Sequence, residues 1–154
     1  MTDTGPRQVV IFALGEDLFA ADVRVVERVL RFETPVVVPN MPGWVAGVVE
    51  HAGRSLPLVD LRSRFELPAA PADVERRVLV AGGAEAVGLV VDRVIEVAAV
   101  AGTLDAPPAL FRGLAREYLR GILRRDGRLV MVLDVAHLLT ATERIALQQA
   151  LVDV

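Results

Sequence analysis

The sequence predicts an all-β fold with short helices, built as two equivalent halves. Three observations point to it. Short apolar, β-branched runs recur at about 8–12 residue spacing between Gly- and Asp-containing turns, the pattern of small barrels or a sandwich. Only brief helical stretches interrupt these runs. The chain also repeats itself: Gly47-Val48-Val49-Glu50-His51-Ala52-Gly53-Arg54 through Asp60-Leu61 is answered 74 residues on by Gly121-Ile122-Leu123-Arg124-Arg125-Asp126-Gly127-Arg128 through Asp134-Val135. A second echo, Arg24-Val25-Val26-Glu27 against Arg93-Val94-Ile95-Glu96, lies 69 apart. Such self-similarity implies two equivalent units with a groove between them.

Taken in order, Gln8 to Leu14 and Leu18 to Ala21 flank Gly15-Glu16-Asp17 and read as a hairpin. Asp22 then precedes a short helical turn that leads into another strand. Pro35 to Pro39 is extended, because proline disfavours helix at the residue before it. Ala46 to Glu50 and Arg54 to Val59 make a second hairpin around Ala52-Gly53. Asp60 is placed to cap a short helix through Leu61 and Phe65, its carboxylate accepting orphan N–H groups. Leu67 to Asp73 is a linker. Arg77 to Ala81 and Ala86 to Val91 form a third hairpin across Gly82-Gly83, and Asp92 to Val97 continues beyond it. After a loop ending in Pro107-Pro108, Tyr118 to Arg124 and Arg128 to Leu133 make the last hairpin across Asp126-Gly127. Asp134 repeats the capping role of Asp60, and an amphipathic helix over 142–152 closes the chain.

With 154 residues, 53% apolar and 24% charged, the chain can bury a core as one domain. A net charge of −3 without a basic block argues against nucleic-acid binding. All 17 basic residues are Arg. Cysteine is absent, which removes disulfides, thiolate metal sites and Cys nucleophiles. No apolar run approaches the roughly 20 residues of a membrane span, so a cytoplasmic protein without membrane insertion is expected.

Asp60 and Asp134, at equivalent strand ends, are the candidates for an aspartate-dependent hydrolase. That chemistry needs Asp-Thr/Ser-Gly turns, whereas the sequels here are Asp60-Leu61-Arg62 and Asp134-Val135-Ala136. Both are therefore read as structural caps. His51 and His137 lack metal-ligand spacing, Ser55 and Ser63 lie in no nucleophile elbow, and Gly82-Gly83 is a hairpin turn. Neither a metal nor a cofactor is expected. Trp44 is read as a plug in the core or the seam. Arg112, Arg116, Arg120 and Arg124, four apart, would share one helix face. Strand edges and the seam between the halves remain for protein partners.

Pro39 to Phe65, Val87-Gly88-Leu89-Val90-Val91-Asp92-Arg93-Val94, Tyr118-Leu119-Arg120-Gly121-Ile122 and Val132-Leu133-Asp134-Val135 together resemble the CheW-like domain of bacterial chemosensory systems, in order and over about residues 8 to 152. The resemblance implies two intertwined five-stranded SH3-like β-barrel subdomains. The approximate spans are 15–82 for the first, and 83–141 plus the strand 8–14 for the second. It implies a non-enzymatic adaptor joining a methyl-accepting chemoreceptor's cytoplasmic tip to the regulatory domain of a CheA-type histidine kinase. The implied receptor groove holds Val26, Arg28, Glu50, Ala52 and Arg54, with Val90 and Val91 facing it. The implied kinase contact is a barrel end at Gly47, Val48, Gly121 and Ile122. One departure stands out. The family pattern Gly-x-x-Asn-Leu-Arg-Gly is here Gly47-Val48-Val49-Glu50-His51-Ala52-Gly53, so the Arg fork is missing and a carboxylate stands nearby. Arg54 substitutes if the hairpin register permits; otherwise the chain is a divergent member, of a motility or pilus pathway for example, with altered coupling.

Overall fold

The computed structural model describes residues 7–82, 86–106 and 118–138. These form ten strands: β1 (Gln8–Leu14), β2 (Asp17–Asp22), β3 (Val26–Arg31), β4 (Val45–His51), β5 (Arg54–Asp60), β6 (Arg77–Ala81), β7 (Val87–Val91), β8 (Arg93–Ala99), β9 (Leu119–Arg125) and β10 (Arg128–Leu133). A 3-10 turn, Val23–Val25, joins β2 to β3, and one-turn helices α1 (Leu61–Arg64) and α2 (Val135–Leu138) follow β5 and β10. The all-β reading with short helices holds.

The strands make two five-stranded sheets, ordered β8-β1-β2-β10-β9 and β3-β6-β7-β5-β4. Matching β1–β5 onto β6–β10 in sequence converts one order into the other, strand for strand. The 69-residue offset carries β1 onto β6, and the 74-residue offset carries β4, β5 and α1 onto β9, β10 and α2. Each repeat thus lends its first hairpin to the sheet built mainly by the other. The joints are the two parallel pairs, β2 with β10 and β5 with β7. This exchange is the intertwining expected from the resemblance. It also divides the chain differently from the spans 15–82 and 83–141: β2 sits in the first sheet and β7 in the second, because each is bonded to the other repeat's strands.

Alternation along the strands explains the packing. Val10, Phe12 and Leu14 of β1 enter a central cluster with Phe19, Val59, Leu61, Phe65, Leu79, Leu89 and Val91, which joins the two sheets. The intervening Val9, Ile11 and Ala13 point to a cluster confined to the first sheet, with Ala20, Val130 and Val132. Leu56, Leu58, Val78, Val80 and Val90 form its counterpart in the second. β1 and β7 therefore read as continuous apolar runs, since both of their faces are covered. Phe19 stacks on Phe12 and on Phe65 at centroid distances of 6.0 and 5.7 Å, tying the first sheet to the residue that ends α1.

The turns follow from the same chemistry. Ala52-Gly53 and Asp126-Gly127 have positive φ at both central positions (51° and 76°, 52° and 76°), the twist a two-residue hairpin needs. Arg120 and Arg124 lie in strand β9, so the helix face expected from the four-residue spacing does not form there; alternation with period two governs them. Arg112, Arg116, Pro107-Pro108, Gly83 and the helix expected over 142–152 lie outside the described residues.

Candidate functional site

The glycines that open the two repeated hairpins have a steric reason. The segment after β3 crosses the outer edge of β4, where Val36 and Val48 exchange two main-chain hydrogen bonds of 2.9 Å. A Cβ on Gly47 would stand 2.5 Å from the Val36 carbonyl oxygen, and Gly47 has φ +144°. On β9 the same construction recurs. Asp105 and Ile122 exchange bonds of 2.8 and 2.9 Å, and a Cβ on Gly121 would meet Leu104 Cβ at 2.6 Å. Val36 and Asp105 are again 69 apart. Gly47 and Gly121 are therefore seats for a crossing strap. Val48 and Ile122 are buried beneath the straps, at 8% and 3% exposure. In the first strap Val36 and Val37 are exposed, at 69% and 78%.

Strands β3 and β4 are the two outer strands of the second sheet, and the sheet curls until they share a cleft of about 170 Å³. Leu30 and Arg31 line it from β3, and Val49, Glu50 and His51 from β4, over a floor that includes Leu58 and Val78. Val26 and Arg28 precede these residues on β3, with Arg28 exposed and Val26 half-buried against the central cluster. The cleft lies between the edges of one sheet; the space between the sheets is filled by the central cluster. Val90 and Val91, expected to face the groove, are 2% and 1% exposed and present no surface: the all-apolar β7 is covered on both faces. Ala52 sits in the turn at φ +51°, outside the strand. The two-apart rule that would align Arg54 with it therefore does not apply. Arg54 pairs across the ladder with His51.

In the first sheet the corresponding seam is closed by charge. Arg125 on β9 reaches Glu96 on β8 with two bonds, Nε to Oε2 at 3.0 Å and Nη2 to Oε1 at 2.9 Å. The Arg125 guanidinium holds the Glu96 carboxyl below its ordinary range. By the repeat offsets the equivalent positions in the second sheet are Glu27 and His51. The two hairpins that match in fold thus differ in how their seam is held.

The acidic strand ends act on backbone. Asp60 Oδ1 accepts from the N–H groups of Arg62 and Ser63 at 3.0 and 3.4 Å, and Asp134 Oδ1 from His137 N–H at 3.0 Å. Two further aspartates were not singled out by the motif reading. Asp92 is buried and takes Arg62 Nε at 3.0 Å, a second bond from Arg62 Nη2, and the N–H of Gly15 at 2.6 Å. Burial pushes its carboxyl up, and the Arg62 and Gly15 hydrogen bonds more than reverse that, so it lies below the usual carboxylate range. Asp22 caps the 3-10 turn and is forked by Arg24, whose hydrogen bonds outweigh burial and lower it likewise. Arg64 of α1, also buried, packs over Trp44 at 5.4 Å and over Tyr118 at 4.9 Å, and donates to the Tyr118 hydroxyl. Trp44 and Tyr118 are 74 apart, so the repeat itself marks this seam and extending the echo would have found it. Trp44 is half-buried against the central cluster, in the plugging role its sequence suggested.

A family model described as CheW-like domain matches residues 8–143. The chain is 28% identical over 144 residues to a chemotaxis protein CheW of Treponema pallidum, covering 88% of this chain and 84% of that one. It is 29% identical over 143 residues to a chemotaxis protein CheW of Klebsiella aerogenes, covering 92% and 86%. Among solved structures, the scaffolding protein TtCheW from Thermoanaerobacter tengcongensis aligns with a TM-score of 0.79 at 22% identity over 92% of both chains, a likeness of fold.

Proposed function

The chain belongs to the CheW-like domain family, and from that premise we propose that it is a non-enzymatic adaptor on the cytoplasmic side of receptor arrays, joining a chemoreceptor tip to the regulatory domain of a CheA-type histidine kinase. The observation that carries this reading is the family match over residues 8–143, on a fold whose two sheets keep the exchanged order throughout. The acidic residues support it: Asp60 and Asp134 are engaged with helix N–H groups, and Asp22 and Asp92 with arginines. Among the described residues no helix is long and apolar enough to cross a membrane.

The kinase contact proposed at the barrel end beside Gly47 runs through the exposed strap, Val36 and Val37, since Val48 itself is covered. The receptor contact proposed at β3 and β4 uses Arg28, Glu50, Ala52 and Arg54. Sedimentation of the purified chain with a receptor signalling fragment and a kinase regulatory domain tests the reading. A ternary complex is expected, and failure to bind either one at tens of micromolar would contradict it.

The hairpin tip favours a second reading within the same class. Glu50-His51-Ala52 lacks the guanidinium fork of the family pattern, and the register does not place Arg54 in its stead. This supports an adaptor whose coupling to one partner is altered. Ala52→Arg should then raise coupling sharply; unchanged coupling would remove the tip from the contact.

A further inference from the structure

Strands β3 and β6 end their ladder on two like charges: Arg31 lies directly opposite Arg77. Like charges facing each other across an antiparallel pair are destabilising. At the corresponding end of the first sheet the ladder closes on Gln8 and Ala99, both neutral, so the fold does not require charge there. Arg76 stands next in line, its guanidinium 3.9 Å above the Phe32 ring. All three arginines line one surface cleft of about 370 Å³ at the end of β3, with Glu75 the sole carboxylate among its lining residues. Arg77 Nη1 donates to main-chain oxygens, of Glu75 at 3.4 Å and Arg76 at 3.2 Å. Among the described residues no salt bridge engages Arg31, Arg76 or Arg77. The buried carboxylate of Asp92 feels the Arg76 charge but is already held by Arg62. The cleft is therefore electropositive in a chain whose net charge is −3.

We propose that the Arg31–Arg76–Arg77 cleft is a docking site for an acidic, extended segment of a protein partner. The guanidinium forks of Arg31 and Arg77 receive its carboxylates as bidentate pairs, which removes the cross-strand repulsion. Two features commit the site to a peptide and not to a small anion. No helix N-terminus lines the cleft, so the dipole that phosphate sites commonly use is missing. β3 is an outer strand, paired among the described residues with β6 alone, and its other edge, along the adjoining β3/β4 cleft that Arg31 also lines, offers main-chain groups to an added chain. The site is separate from the strap; through Arg31 it adjoins the cleft that Glu50 and His51 line, and it stands whether or not the adaptor reading does.

The test is fluorescence anisotropy of a labelled hexaglutamate peptide titrated with the full chain at low salt, alongside thermal denaturation. Wild type should bind and should gain Tm with the peptide. The double variant Arg31→Gln/Arg77→Gln should lose roughly ten-fold or more in affinity, as expected for two lost charge pairs. Its own Tm should hold or rise, because a like-charge pair has gone. Arg93→Gln, an exposed arginine on β8, should bind within about two-fold of wild type. Undiminished binding by the double variant, no binding by wild type, or a fall in the double variant's Tm would overturn the proposal. So would inorganic phosphate at matched ionic strength raising Tm as much as the peptide, which would make the cleft a small-anion site.

Discussion

Replacing Gly47 by alanine should unsettle the fold far more than a single methyl group suggests. Two costs add at this position, and the second follows from a clash. The backbone has φ +144°, a region that side-chain-bearing residues occupy at about 1–3 kcal/mol. The new Cβ would lie 2.5 Å from the Val36 carbonyl oxygen and 2.9 Å from Pro35 Cβ, so the strap must withdraw. Withdrawal breaks the two 2.9 Å bonds between Val36 and Val48, each contributing about 0.5–1.5 kcal/mol. Together these amount to roughly 2–6 kcal/mol, or a fall in Tm of at least about 5 °C in a chain of this size. Gly53 supplies a control on the same hairpin. Its φ is +76°, and a Cβ there meets nothing within 4 Å, so Gly53→Ala should cost only the backbone preference of about 1–2 kcal/mol. Urea titrations followed by circular dichroism would separate the two. Equal losses for Gly47→Ala and Gly53→Ala would refute the claim that Gly47 seats the strap.

Other expectations follow from the same contacts. Asp60→Ala removes the α1 cap and should cost about 1 kcal/mol by urea denaturation. Phe19→Ala, which leaves a hole between Phe12 and Phe65, should cost about 3–5 kcal/mol in the same assay. Asp92 and Asp22 both have lowered pKa values in the fold, so at mildly acidic pH the unfolded chain binds more protons than the folded one. Their stabilisation is present above the ordinary carboxylate range, about pH 4, and is lost as pH falls through the lower folded values. Urea midpoints taken from neutral pH downward should show that decline. Most of it belongs to Asp92, because Arg24 beside Asp22 is largely exposed. Asp92→Asn should flatten the slope while lowering stability at neutral pH.

Much of the fold was legible in the sequence because the turns and caps are local. Ala52-Gly53 and Asp126-Gly127 announce their hairpins, and Asp60 and Asp134 announce α1 and α2. The exchange of hairpins between sheets was not legible from residues alone. It depends on the parallel pairs β2/β10 and β5/β7, whose partners lie far apart in the chain. Val90 and Val91 were placed at the groove by the family resemblance, whereas the all-apolar run Val87–Val91 is itself the pattern of a strand covered on both faces. At the candidate site, Gly47 and Gly121 were visible as repeated positions, but their steric role needed the straps. Arg54 failed as a stand-in for position 52 because the strand ends at His51. Arg62–Asp92 and Arg31–Arg77 join residues 30 and 46 positions apart, and no local pattern marks either pair.

Receptor control of kinase phosphorylation tests the adaptor role most directly. A CheA-type kinase and a chemoreceptor signalling fragment from the same organism would be assayed for autophosphorylation with and without this chain. The prediction is a receptor-dependent change in kinase activity that requires the chain and weakens in a strap variant such as Val37→Glu. Autophosphorylation that responds equally to receptor in the absence of the chain, or that ignores saturating amounts of it, would contradict a coupling role.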